Sequence, residues 1–159
     1  MGDLLLQQRR IEEAIKYFEN AMMADPGYVD SFLKAGLIYE DAREFEKAIA
    51  AYQSALATES DKKELLELRL LIATANLDLK NNEPKKAEEN FLQANKIKAD
   101  ELRVLWGLAA STGQQGELNR AVGWYLRVIE KHPEYHRARM SAAYVYEQLE
   151  EEEQAIAQY

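Results

Sequence analysis

In the stretch Ile11-Glu12-Glu13-Ala14-Ile15-Lys16-Tyr17-Phe18-Glu19-Asn20-Ala21-Met22, apolar side chains fall at 11, 14, 15, 18, 21 and 22. Steps of three, four and seven place them on one stripe of an α-helix. Asp25-Pro26-Gly27 ends that helix, because proline cannot continue the hydrogen-bond ladder and disfavours helix at the residue before it. A second helix is predicted from about Tyr28 through Phe32, Ala35, Gly36 and Tyr39. After a break at Ala42-Arg43, a third carries Phe45, Ala48, Ile49, Tyr52, Ala55 and Leu56. Ser60-Asp61 followed by Glu64 reads as a helix start, with a cap and an acid in the first turn. From there Leu65, Leu66, Leu68, Leu70, Leu71, Ile72 and Ala75 continue to about Lys80. Asn81-Asn82 stops this helix, and Pro84 suits the first turn of the next.

One small motif recurs five times: Ala14-x-x-x-Phe18, Ala48-x-x-x-Tyr52, Ala87-x-x-x-Phe91, Ala121-x-x-x-Tyr125 and Ala155-x-x-x-Tyr159. The alanine advances by 34, 39, 34 and 34 residues, and the aromatic moves with it. A fixed period of this length predicts stacked helical hairpins, each unable to bury its apolar face alone. The step of 39 against 34 marks five extra residues, 63–67. They lengthen the following helix by about a turn and a half. This insertion is either a tolerated turn change or a raised wall made by Leu65, Leu66 and their neighbours.

Phe32-x-x-Ala35-Gly36-x-x-Tyr39 followed by Ala48-x-x-x-Tyr52 closely resembles the tetratricopeptide repeat pattern. Phe32 replaces the usual tryptophan, Ala35 the leucine, and Ser60 the closing proline. Aligned on the alanines, the chain divides into a partial repeat at 1–28, full repeats at 29–62, 68–101 and 102–135, and a partial repeat at 136–159. A small residue facing the partner helix recurs as Gly2, Gly36, Ala75, Ala109 and Ala143. A second recurs as Ala21, Ala55 and Ala94, with Val128 in the fourth repeat. Small residues let two antiparallel helix axes approach closely, while the aromatic one turn later is expected to fill space between hairpins. The resemblance implies an all-α fold, a right-handed solenoid of antiparallel helix hairpins with a concave inner face. It covers nearly the whole chain as a single array. The register enters and leaves in mid-repeat, with no polar capping helix. The expectation is a piece of a longer array, or ends that stack on another copy.

With 28 acidic and 20 basic residues the formal charge is −8, which argues against a general nucleic-acid binder. No apolar run reaches the roughly 20 residues of a membrane span, and no signal peptide is apparent, so a soluble protein is expected. The compartment stays open. Cysteine is absent, which excludes disulfides and thiolate metal sites. His132 and His136 are separated by Pro133, so they do not share one helix face for a metal. They read as solvated turn residues, and Glu150-Glu151-Glu152-Glu153 as a solvated charge run at a helix start. No phosphate loop, nucleophile motif or catalytic dyad is present, so no enzyme activity, cofactor or metal is expected.

The family resemblance implies that the first helix of each pair lines the groove and meets a partner peptide. Carried over, this points to Asp30, Leu33, Leu37 and Glu40, then Arg69, Ile72, Asn76, Leu79 and Lys80. Further along it points to Arg103, Trp106 and Ala110, then Arg137, Met140, Tyr144 and Glu147. A clamp for chaperone C-terminal carboxylates is disfavoured, because Leu33 and Leu37, or Ile72 and Gly107 in a later frame, replace its polar residues. Arg69, Arg103 and Arg137 stand at intervals of 34, the same place in successive repeats. Guanidinium forks suit carboxylates and phosphates. Trp106, Met140 and Tyr144 could supply apolar anchors nearby. The expected partner is a protein or peptide segment carrying acidic groups beside one or two large apolar side chains. Each arginine could instead pair with a glutamate on the adjacent helix. Two other functions remain open: a self-assembling structural segment, and a regulatory part of a larger repeat-bearing protein.

Overall fold

The computed structural model describes residues 11–25, 27–58 and 61–159, with the side chain of Ile11 left aside. The expected Gly2 contact, the Pro26 stop and the Ser60 cap lie outside these residues. Among the described residues there are nine helices and no strand. They are α1 (Ile11–Ala24), α2 (Val29–Asp41), α3 (Phe45–Leu56), α4 (Lys63–Lys80), α5 (Pro84–Ile97), α6 (Leu102–Gln114), α7 (Leu118–Lys131), α8 (Arg137–Gln148) and α9 (Glu152–Gln158). Their contacts divide the chain into two units, Met1–Thr74 and Ala75–Tyr159.

In the first unit α2 packs against both α1 and α3. Their core joins Ala14 and Phe18 to Phe32, Ala35 and Tyr39, and these to Ala48, Tyr52 and Ala55, with Leu66 and Ala73 of α4. The fully buried Tyr52 ring lies on the backbone of α2 at Gly36, where an added Cβ would stand 2.3 Å from Tyr52 Cε1. The Tyr52 hydroxyl donates to Glu40 Oε1 at 2.9 Å, and Glu40 is 6% exposed. Glu40 is therefore a core acceptor for a buried phenol, and its expected place on a ligand-facing surface is corrected. Burial and a 2.6 Å bond to Glu19 push the Tyr39 phenol above its ordinary range.

In the second unit α5 packs on α6, α6 on α7, α7 on α8 and α8 on α9. Its core includes a cluster around Leu105, Val128 and Ala138 and another around Val122, Ala142 and Val145. Phe91 of α5 meets the next hairpin at Gly107, where an added Cβ would lie 2.2 Å from its Cζ. The motif aromatic thus sits within its own hairpin at Tyr52 and against the following one at Phe91. The latter is the placement expected between hairpins.

The turns inside the hairpins share one backbone device. Arg43, Asn82, Gly116 and Glu150 all have positive φ, at 60°, 61°, 78° and 61°. The next amide in each case reaches back to the last turn of the preceding helix: Glu44 to Tyr39 O, Glu83 to Asp78 O, Glu117 to Thr112 O and Glu151 to Tyr146 O. With the companion bonds Arg43 to Glu40 O and Gly116 to Gly113 O, these are Schellman caps. The residue after the left-handed one is glutamate every time, and it begins the second helix, where the dipole favours an anion. Three of these glutamates also pair three residues on, with Lys47, Lys86 and Arg120. The glutamate run at 150–153 thus contains a turn residue and a helix start.

The helix read through 63–80 from its leucines runs from Lys63 to Lys80, with 18 residues. Leu66 in it is fully buried and Leu65 is 39% exposed, so only Leu65 of the suggested wall reaches the surface. No described helix is long and apolar enough to cross a membrane.

Candidate functional site

The second unit brings part of the expected site together. Trp106 on α6 is half-buried and packs edge-on against two tyrosines. Tyr125 of α7 lies at 5.2 Å and 66°, and Tyr135, just before α8, at 5.3 Å and 88°. Such T-shaped pairs place the electropositive edge of one ring on the face of another. Arg137, the first residue of α8, lays its guanidinium over Trp106 with Cζ 5.4 Å from the ring centroid. Arg137 has no carboxylate partner among the described residues, so its N–H donors are not engaged by an acid. Burial raises the Tyr125 phenol, opposed by a hydrogen bond with Ser141 and the charge of Arg137.

Met140 and Tyr144 follow Arg137 at i+3 and i+7, one face of α8. They are 66% and 60% exposed. Large apolar side chains this open, beside a stacked cation, form a surface that presents both apolar and cationic groups. Arg103, also on α6 and exposed, precedes Trp106 by one turn and has an interaction partner of its own.

The remaining expected residues are scattered. Arg69 and Ile72 belong to the first unit, Asn76 and Lys80 to the end of α4 in the second. Ile72 is 1% exposed, so its place is in the core and its expected ligand contact is corrected. Asp30 pairs with Lys62, and Leu33 packs on the first unit's core. Arg69 is half-buried, and its Nε and Nη1 are enclosed without a hydrogen-bond partner. The internal glutamate pairing left open for the arginines is therefore not what Arg69 and Arg137 adopt. Tyr125 and Tyr135 were not singled out by the sequence. Tyr125 carries the repeat motif and reads as core, and Tyr135 stands in a turn.

Other ionic clusters serve the scaffold. Arg120 bridges Glu117 and the nearly buried Glu88, which also accepts from Gln115 Nε2 at 2.7 Å. Arg127 Nε donates to Asp100 at 2.6 Å, and His132 Nε2 lies 2.7 Å from the Asp100 carbonyl. His132 is thus tied to the backbone rather than free in solvent, and its Nε2 carries the proton when it meets that carbonyl. Among the described residues no three His, Cys, Asp or Glu side chains are placed to hold a metal ion.

A family model described as tetratricopeptide repeat matches residues 1–63 and 108–159. Over 84 residues the chain is 31% identical to the DnaJ homolog subfamily C member 7 of Mus musculus and 29% identical to that of Homo sapiens. The match covers 53% of this chain and 16% of the length of those relatives. Among solved structures, MamA superposes with a TM-score of 0.74 at 21% identity, over 99% of this chain and 90% of that one. YrrB, described as a TPR protein with an unusual peptide-binding site, gives 0.63 at 20% identity, over 99% and 78%. A chain of the APC/C hetero-tetramer Cut9-Hcn1 gives 0.78 at 16% identity, over 99% and 30%. The architecture is an all-α solenoid of helical hairpins.

Proposed function

The chain belongs to the tetratricopeptide repeat family, a protein-interaction repeat module, and on that premise we propose that it works as a non-catalytic scaffold or adaptor. Its partner is a peptide or protein segment laid along the first helices of the hairpins, with acidic groups beside one or two large apolar side chains. The single observation that carries this reading is the α8 face. An arginine is oriented by Trp106 without an acid to neutralise it, and Met140 and Tyr144 stand open beside it. Aromatic and arginine anchors of this kind concentrate binding energy in protein interfaces. An exposed cation–π contact contributes about 0.5–1 kcal/mol and an exposed ion pair about 0–1 kcal/mol, so arginines placed here can be changed without unfolding the chain.

The test is capture of partners from native extract by the wild-type chain and by Arg103→Glu/Arg137→Glu, followed by helical melts of both. The expected result is loss of the captured protein with a nearly unchanged melt. Equal capture by both chains overturns the reading.

A further inference from the structure

Arg69 differs from the other two registered arginines in a way their shared spacing hides. Its Nε and Nη1 are enclosed, and neither meets an acceptor among the described residues. The surrounding chain has acids to spare, 28 against 20 bases. Several of its cations use them: Lys47 pairs with Glu44, Lys62 with Asp30, Lys86 with Glu83, Arg127 with Asp100 and Lys131 with Glu130. N–H donors enclosed without an acceptor oppose folding, and an apolar replacement of similar volume is commonly neutral or stabilising. The presence of Arg69 therefore calls for something other than internal packing.

On α4 the side chain sits at the edge of the core. Leu66 and Ala73, three residues before and four after, are fully buried, while Leu65, four before, is 39% exposed. The residue as a whole is half-buried, so rotation about its own bonds brings the guanidinium within reach of solvent.

We propose that Arg69 is the carboxylate-recognition residue of the first unit, kept without an internal acceptor so that an aspartate or glutamate of a partner segment fills that role. Leu65, one turn earlier on the same face, takes the partner's neighbouring apolar side chain. The inference rests on the partner-binding reading above and names its chemistry at a second place. A carboxylate offers two oxygens and about four lone-pair positions, enough to accept from the guanidinium edge. A dianionic phosphate fits less well. It must shed more water to enter a partly apolar pocket and is repelled more strongly by a chain of charge −8.

The experiment follows the arginine Nε–H resonances by NMR, with Arg69 identified by its loss in Arg69→Met and Arg137 by its loss in Arg137→Glu. Three probes are added: a synthetic peptide alternating leucine and glutamate, the same peptide with glutamine for glutamate, and inorganic phosphate. The glutamate peptide is expected to shift the Arg69 resonance, the other two to leave it in place, and Arg69→Met to weaken the peptide at least tenfold. Arg69→Met should keep or raise the urea midpoint. A lowered midpoint assigns the guanidinium to the fold and overturns the inference, as does a larger response to phosphate. A shift at Arg137 alone overturns it while leaving the broader reading intact. A response at neither arginine counts against both.

Discussion

Gly36 and Gly107 are the points where an aromatic ring touches helix backbone. A methyl group at either would enter the ring of Tyr52 or Phe91 at 2.2–2.3 Å. Both rings are fully buried and cannot swing aside. Gly107→Ala is therefore expected to cost about 1–3 kcal/mol through overpacking, seen as a lower urea midpoint with an unchanged slope. The general preference of helices for alanine predicts the opposite sign, so the measurement separates the two effects. Gly36 was legible in the sequence, since it holds the registered small position opposite a motif aromatic. Gly107 was not. It stands two residues before the registered Ala109, and only the packing of α5 on α6 reveals its partner. The arginines divide similarly. Their common spacing was visible, but stacking on Trp106 at one and enclosure at another depend on what neighbouring helices supply.

At the scale of the element, the hairpin turns show how little a shared conformation constrains the residue that adopts it. Arg43, Asn82, Gly116 and Glu150 share the left-handed region, where only glycine avoids steric cost and asparagine tolerates it. Arg43→Gly and Glu150→Gly should each stabilise by about 0.5–1 kcal/mol, and Gly116→Ala should destabilise by about 1 kcal/mol, read in thermal melts. No composition rule exposes these turns, because arginine and glutamate do not announce positive φ. The glutamate that follows each of them was a periodic signal available in the sequence.

Asp100 illustrates a different element, the joint before α6. The bond from Arg127 holds its carboxyl below the ordinary range. A carboxylate depressed in the folded state stabilises above its unfolded value of about 4, and that contribution fades as pH falls through the lower folded value. Asp100→Asn keeps a residue suited to its φ of 58° and removes the charge. The variant should melt lower than wild type near neutral pH, and the gap should close below about pH 4.

Across the whole molecule, a charge of −8 sets long-range repulsion against the attraction of individual arginines for an acidic segment. The Debye length shortens from about 30 Å at 0.01 M salt to about 8 Å at 0.15 M. Stopped-flow mixing with the leucine–glutamate peptide should therefore show faster association as salt rises over that range, together with faster dissociation. Association that slows with salt would mean that local positive potential outweighs net charge. The repeat architecture was legible because small and aromatic residues must recur wherever helices approach closely. The insertion was legible because it broke that recurrence once. The turns add a further consequence. From the left-handed residue to the motif alanine the count is always five, as in 43 to 48, 82 to 87, 116 to 121 and 150 to 155, even across the step of 39. Length variation falls at the start of α4, ahead of its turn, and leaves the measure from each turn into the second helix fixed. Segments such as 82–115 and 116–149 are then equal in length and in turn placement, and a chimera that swaps them carries the Phe91–Gly107 contact intact inside one segment while parting Glu88 from Arg120.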